Sequence, residues 1–147
     1  MRQKLTPDPW KIVQDSFSRE DQRFFESLTS LGNGAMGLRG SFEEDYSDDT
    51  LRGTYIGGVW FPDRTRVGWW KNGYPEYFGK QINAMNLIGL RVSVNGETLD
   101  AGVMEVSGFR RELDMREGVL RREMTLRTSA GGVTIRAERF VSMDITS

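Results

Sequence analysis

Residues 110–141 read RRELDMREGVLRREMTLRTSAGGVTIRAERFV. Arg110 to Met115 has the composition of a strand, and Arg116-Glu117-Gly118 follows as a tight turn. Leu120, Met124 and Leu126 then fall on alternate positions, the spacing of one face of a strand. Arg122 shares that parity, so if the face is buried its guanidinium needs a partner. Ala130-Gly131-Gly132 makes the next turn. Val133, Ile135, Ala137 and Val141 line one face of a last strand. Strand, turn, strand, turn, strand at short spacing is the pattern of an antiparallel meander.

Upstream the same grammar continues. Ile88, Leu90, Val92 and Val94 alternate with Gly89, Arg91 and Ser93, as a half-buried strand does. Asn95-Gly96 after them is the strongest short hairpin signal. Thr54 to Phe61 is rich in β-formers and reads as a strand interrupted by Gly57-Gly58. Trp10 to Phe17 is a further strand. Phe24, Leu28 and Leu31 fit helical spacing, so a short helical turn competes with a strand there, limited by the glycines that follow. No long amphipathic helix and no fixed-period repeat is present. The expected class is all-β, an antiparallel β-sandwich with few or no helices.

The glycine-rich stretch Gly32-Asn33-Gly34-Ala35-Met36-Gly37 spells G-x-G-x-x-G. A dinucleotide site would need a helix opening on the last glycine and an acid about 20 residues on. Gly40 instead falls where that helix would be in its first turn, so a cluster of structural turns is favoured. Asp45, Asp48 and Asp49 lie in an acidic loop whose spacing is not that of an EF-hand, and a solvated loop is favoured over a calcium site. Residues 62–80, PDRTRVGWWKNGYPEYFGK, crowd Trp69, Trp70, Tyr74, Tyr77 and Phe78 among Lys71, Asn72, Gly73 and Pro75. Such rings can stack on sugars, but a domain interface anchored by aromatics is favoured.

Composition narrows the chemistry. The chain has 147 residues, 37% hydrophobic and 28% charged, with net charge −1. That is one soluble domain's worth of chain with no electrostatic case for nucleic acid. It contains neither cysteine nor histidine, so thiolate chemistry and the commonest general base are both missing. No apolar run reaches the length of a membrane span. The opening MRQKLTPDPW lacks the apolar core of a signal peptide, and a cytoplasmic location is expected.

A family resemblance rests on specific residues. Glu26-Ser27-Leu28, Leu31-Gly32-Asn33-Gly34, Met36-Gly37-Leu38-Arg39-Gly40 and Phe42-Glu43-Glu44 resemble the N-terminal domain of glycoside hydrolase family 65. Gly53-Thr54-Tyr55, Asn95-Gly96-Glu97, Leu113-Asp114-Met115 and Arg139-Phe140 continue the likeness. The runs from Gly58 to Asp63 and from Val67 to Pro75 look most like the maltose-cleaving branch of the family. The resemblance implies an N-terminal super-sandwich, a helical linker and an (α/α)6 barrel. It implies inverting phosphorolysis of a disaccharide, with a barrel glutamate as general acid and phosphate as nucleophile. It implies a homodimer and no metal or organic cofactor.

The chain stops at Ser147, inside the expected sandwich, so the catalytic barrel and its phosphate site are expected beyond it and no catalytic residue is carried onto this sequence. Trp69, Trp70, Lys71, Asn72 and Tyr74 are the candidates for contact with sugar or with the barrel. Gly32, Asn33, Gly34, Gly37, Arg39, Gly40 and Glu43 form the structural motif. Glu43-Glu44 is not expected to act as a catalytic pair, since neighbours on a strand point to opposite faces, and a structural partner such as Arg39 is the expectation.

Overall fold

The computed structural model describes residues 5–64 and 75–144. Trp69, Trp70, Lys71, Asn72 and Tyr74 therefore lie outside the described residues. The expected all-β antiparallel class holds, with one short helix among the described residues. The elements run β1 (Lys11–Gln14), α1 (Gln22–Leu28), β2 (Leu31–Gly32), β3 (Met36–Leu38), β4 (Thr54–Arg64), β5 (Tyr77–Asn83), β6 (Ser93–Val94), β7 (Glu97–Thr98), β8 (Val106–Asp114), β9 (Val119–Thr128) and β10 (Gly131–Phe140). One sheet has the order β1-β8-β9-β10, a second β2-β3-β4-β5, and β6-β7 is a hairpin. Among the described residues no helix is long and apolar enough to cross a membrane.

The meander forms as its alternation dictates. β9 and β10 pair without a break from Val119↔Phe140 to Thr128↔Gly131. β8 pairs with β9 across a turn closed by the Asp114 carboxylate, which accepts the N–H groups of Arg116 and Glu117 at 2.9 and 3.2 Å. Leu120, Met124 and Leu126 are buried on the inner face, as their parity requires. Met124 and Leu126 meet Phe42, Tyr46, Leu99 and Ala101, with Phe17, Val106, Phe109, Val133 and Ile135 around them. Segments between strands, around residues 42–46 and 99–101, thus seal this face.

Two expectations are corrected and one open reading is settled. The strand expected over 88–94 is only Ser93–Val94, because Leu90 donates its N–H to the Glu43 carbonyl at 2.7 Å rather than to a ladder. The Asn95-Gly96 turn itself holds, with φ of 51° and 81°, the left-handed pair that a type I′ hairpin demands. The strand at Trp10–Phe17 shrinks to β1. The segment after Ser18 becomes α1, since its register buries Gln22, Phe25 and Glu26 together.

The G-x-G-x-x-G stretch is the β2–β3 hairpin. Asn33 Oδ1 accepts the N–H groups of Ala35 and Met36 at 3.1 and 2.8 Å, and Asn33 Nδ2 donates to the Ser142 carbonyl at 2.7 Å. The asparagine thus shapes the turn and ties it to the end of β10. Gly37 pairs with Gly32 on one side and with Tyr55 on the other. Gly40 is a close approach: a Cβ there would lie 2.0 Å from Thr29 Oγ1 and 2.7 Å from the Thr29 carbonyl. The contact lets Gly40 donate its N–H to the Glu26 carbonyl at 2.8 Å.

Candidate functional site

The densest polar chemistry among the described residues is buried against the inner face of the meander. Inward parity on adjacent strands brings together Arg111 on β8, Arg122 on β9 and Arg139 on β10. Arg111 and Arg122 are direct cross-strand partners. Like charges so placed repel, and more so in a dry interior. Segment 39–44 compensates them. Arg122 donates from both terminal nitrogens to Glu44, at 2.6 and 2.5 Å, and from Nη2 to Glu43 Oε2 at 2.9 Å. Arg139 grips Glu43 Oε1 through Nε at 3.0 Å and through Nη2, and it also donates to the carbonyls of Arg39 and Ser41 at 2.9 and 2.7 Å.

The Phe42 ring sits under two guanidiniums, Arg122 at 4.4 Å and Arg111 at 4.9 Å from its centroid. Each contact draws on the ring's negative face and replaces part of the lost hydration. Arg111 is 1% exposed, and its one hydrogen-bonded side-chain partner among the described residues is the Gln22 side-chain amide oxygen, Oε1, at 2.8 Å. Its Nε and Nη1 have none. Burial, and next the Arg122 charge, pull its ionisation down to about 9. Burial pushes the Glu43 carboxyl up, but the charges and hydrogen bonds of Arg122 and Arg139 outweigh it and hold Glu43 below its ordinary value.

This geometry corrects the expected partner of the carboxylate pair. Residues 41–44 are not a strand, so both carboxylates reach the same arginine instead of opposite faces. Arg39 turns away from them. Its Nη2 donates to Ser27 Oγ at 2.6 Å and to the Arg23 carbonyl at 3.2 Å, fastening α1. The helix is held a second time by Glu26, whose two oxygens accept from Thr50 Oγ1 and the Leu51 N–H at 2.5 and 2.7 Å. Arg111 was not singled out from the sequence, and Glu26 and Arg139 entered only as part of the family likeness. The parity that marked Arg122 also marks Arg139, two positions past Ala137, and was the available signal.

The acidic loop is not a cation site. Asp45 pairs with Arg91 at 3.0 Å, Asp48 with Arg19 at 3.8 Å and Asp49 with Arg23 at 2.6 Å. Three carboxylates facing three different arginines do not converge, and no metal-binding cluster occurs among the described residues.

The arrangement is a latch, and its sequence places it in a known group of proteins. The profile described as glycosyl hydrolase family 65, N-terminal domain, matches residues 12–147. The chain belongs to glycosyl hydrolase family 65. Within the family it is 56% identical over 138 residues to the maltose phosphorylase of Bacillus subtilis strain 168, covering 94% of this chain and 18% of that protein. It is 35% identical to the kojibiose phosphorylase of Escherichia coli K12, over 92% of this chain and 16% of that one. A solved structure described as a putative kojibiose phosphorylase from human microbiome superposes with a TM-score of 0.83 at 30% identity, over 95% of this chain and 19% of that chain. The chain thus spans less than a fifth of these family 65 relatives.

Proposed function

We propose that this chain is the non-catalytic N-terminal domain of an inverting disaccharide phosphorylase, which in the parent enzyme converts maltose and phosphate to β-glucose 1-phosphate and glucose. The carrying observation is its 56% identity, over nearly its whole length, to a maltose phosphorylase of which it spans only 18%. Inverting cleavage needs one protein acid and an attacking group on the opposite face of the sugar. A general acid has its ionisation raised toward the working pH. Glu43 is held the other way, and Glu44 is bound at both oxygens by Arg122. In this reading the acid and the phosphate site belong to the barrel of the parent enzyme, which uses no metal or organic cofactor.

The role of this domain is to support that barrel, to shape the entrance of its site through segment 62–80 with Trp69, Trp70, Lys71, Asn72 and Tyr74, and to contribute contacts between enzyme copies. The location proposed with this reading is the cytoplasm. The purified chain, mixed with maltose and phosphate, is expected to release no glucose. Phosphate-dependent release by the chain alone would overturn the reading. Titration with maltose is expected to leave tryptophan fluorescence unchanged to tens of millimolar, where binding of about −4 kcal/mol would already register. A saturable change abolished by Trp69→Ala or Trp70→Ala would make the chain a carbohydrate-binding module instead.

A further inference from the structure

Asparagine is followed by glycine three times in the chain, at Asn33, Asn72 and Asn95. Asn72 lies outside the described residues. The other two are held in opposite ways. Asn33 turns the β2–β3 hairpin with its side chain engaged at both ends: Oδ1 accepts two backbone N–H groups and Nδ2 donates to the Ser142 carbonyl. Asn95 turns the β6–β7 hairpin with its backbone alone. It is exposed, and its side-chain amide has no hydrogen-bond partner among the described residues. The space beside Gly96 is open too, since a Cβ there would meet nothing within 4 Å.

An asparagine amide next to a glycine N–H carries its own reaction. The Gly96 nitrogen bonds to Asn95 Cγ as the Cγ–Nδ2 bond breaks, and Nδ2 leaves as ammonia with the proton from the glycine nitrogen. A cyclic succinimide remains, and water opens it at one of its two carbonyl carbons. Cleavage at Cγ leaves an aspartate and the original main chain. Cleavage at the Asn95 carbonyl carbon leaves an isoaspartate, whose main chain runs through Cγ and gains a methylene. No oxidant or reductant enters. Glycine suits the attacking position because its nitrogen has no side chain beside it and its backbone turns freely.

The folded turn, with Asn95 at φ 51°, has to open before the Gly96 nitrogen can swing to Cγ. Such opening is easiest where few contacts hold a segment. The β6–β7 hairpin has two residue pairs, Ser93↔Thr98 and Val94↔Glu97, with the Leu99 N–H donating to the Val92 carbonyl behind them. Asn33 must in addition give up three side-chain hydrogen bonds, one of them to the end of β10.

We propose that Asn95 is a site of spontaneous modification, converting through a succinimide to aspartate and isoaspartate, while Asn33 is protected. This goes beyond the reading of the domain as a support and stands whether or not that reading holds. The two products differ in consequence. Asp-Gly serves a type I′ turn as Asn-Gly does, so the aspartate form keeps the hairpin. The longer main chain of the isoaspartate form cannot close the same turn. The loosening reaches Leu99, which is 0% exposed. It also reaches Glu97, whose Oε2 accepts the N–H and hydroxyl of Ser129 at 2.9 and 2.8 Å and fastens the hairpin to the β9–β10 turn.

Ageing the purified 147-residue chain in mildly alkaline buffer tests this. Cleavage after arginine and lysine puts the three asparagines on separate peptides, residues 24–39, 72–80 and 92–110. Mass spectrometry reads amide-to-acid conversion in each, and electron-transfer fragmentation tells isoaspartate from aspartate. Conversion in 92–110 is expected to run at least about tenfold faster than in 24–39, because of the hydrogen bonds that hold Asn33. In urea above the unfolding transition the two rates should converge. Asn95→Gln, whose longer side chain closes a ring far more slowly, should silence 92–110 and leave 24–39 unchanged. Hydrogen exchange at the Leu99 amide should rise in the isoaspartate fraction and not in the aspartate fraction. An unconverted 92–110, equal rates for the two peptides in the folded chain, or an isoaspartate fraction that protects Leu99 as before would overturn the proposal.

Discussion

Replacing Arg122 by alanine removes the cation shared by the buried Glu44 and the half-buried Glu43. Three hydrogen bonds of 2.5 to 2.9 Å disappear with it, as does the contact 4.4 Å above Phe42. What remains is Glu44, 2% exposed, with no charge opposite it. Breaking a buried pair on one side costs about 3–5 kcal/mol, mostly because the orphaned charge has lost its water. A domain this size has roughly 5–15 kcal/mol to lose. At about 2–4 °C per kcal/mol the melting temperature should fall by about 10 °C. Urea unfolding of the purified chain, followed by circular dichroism and tryptophan fluorescence, measures the free-energy loss, and a thermal melt the shift in temperature.

Arg127→Ala is the control, since the Arg127–Glu105 pair lies in water with side chains 68% and 61% exposed, and it should change stability by less than about 0.5 kcal/mol. Combining Arg122→Ala with Glu44→Ala should cost less than the sum of the two, by about 2 kcal/mol, because the second change removes the orphan left by the first. A loss below about 1 kcal/mol for Arg122→Ala, or a strictly additive double variant, would refute the buried latch.

Three further outcomes follow from the same region. Because Glu43 ionises at lower pH folded than its ordinary 4.5, its stabilisation is complete above that value and is lost as pH falls through the lower folded one; Glu43→Gln should flatten the acid limb of stability measured from pH 6 to pH 3. Arg111→Met with Gln22→Leu should be neutral or stabilising by about 1 kcal/mol, since it removes a buried cation with two unbonded nitrogens, and a loss beyond about 2 kcal/mol in urea unfolding would contradict that. Gly40→Ala should cost about 2 kcal/mol by thermal melting, because the Thr29 side chain and backbone both stand in the way, and an unchanged melting temperature would show that α1 can shift.

Much of the frame was legible because the meander is local. β8, β9 and β10 are joined by short turns, so alternation and turn residues specify both the strands and their register. The need of Arg122 for a partner was readable from its parity alone. The identity of the partners was not, since Glu43 and Glu44 lie 79 and 78 residues away and nothing in a short window links them. The strand expected at 88–94 failed for the same reason: Leu90 is claimed by the distant Glu43 carbonyl, and a tertiary hydrogen bond outweighed β-propensity. Arg39 was matched with a carboxylate by nearness in sequence, whereas α1 brings Ser27 closer in space. The aromatic candidates Trp69, Trp70 and Tyr74, with Lys71 and Asn72, lie outside the described residues.

The latch also sets an order of events during synthesis. Glu44 leaves the ribosome 78 residues before Arg122, which at about 5–20 residues per second is roughly 4–16 s. Throughout that interval the carboxylates of Glu43 and Glu44 lack Arg122 and Arg139 and keep their water. The seal over the inner face can close only after β9 and β10 have been made. The first half of this chain is thus folded by its last strands, and a nascent chain halted before Arg122 would display Phe42 and Tyr46 to whatever chaperone or neighbouring chain it met.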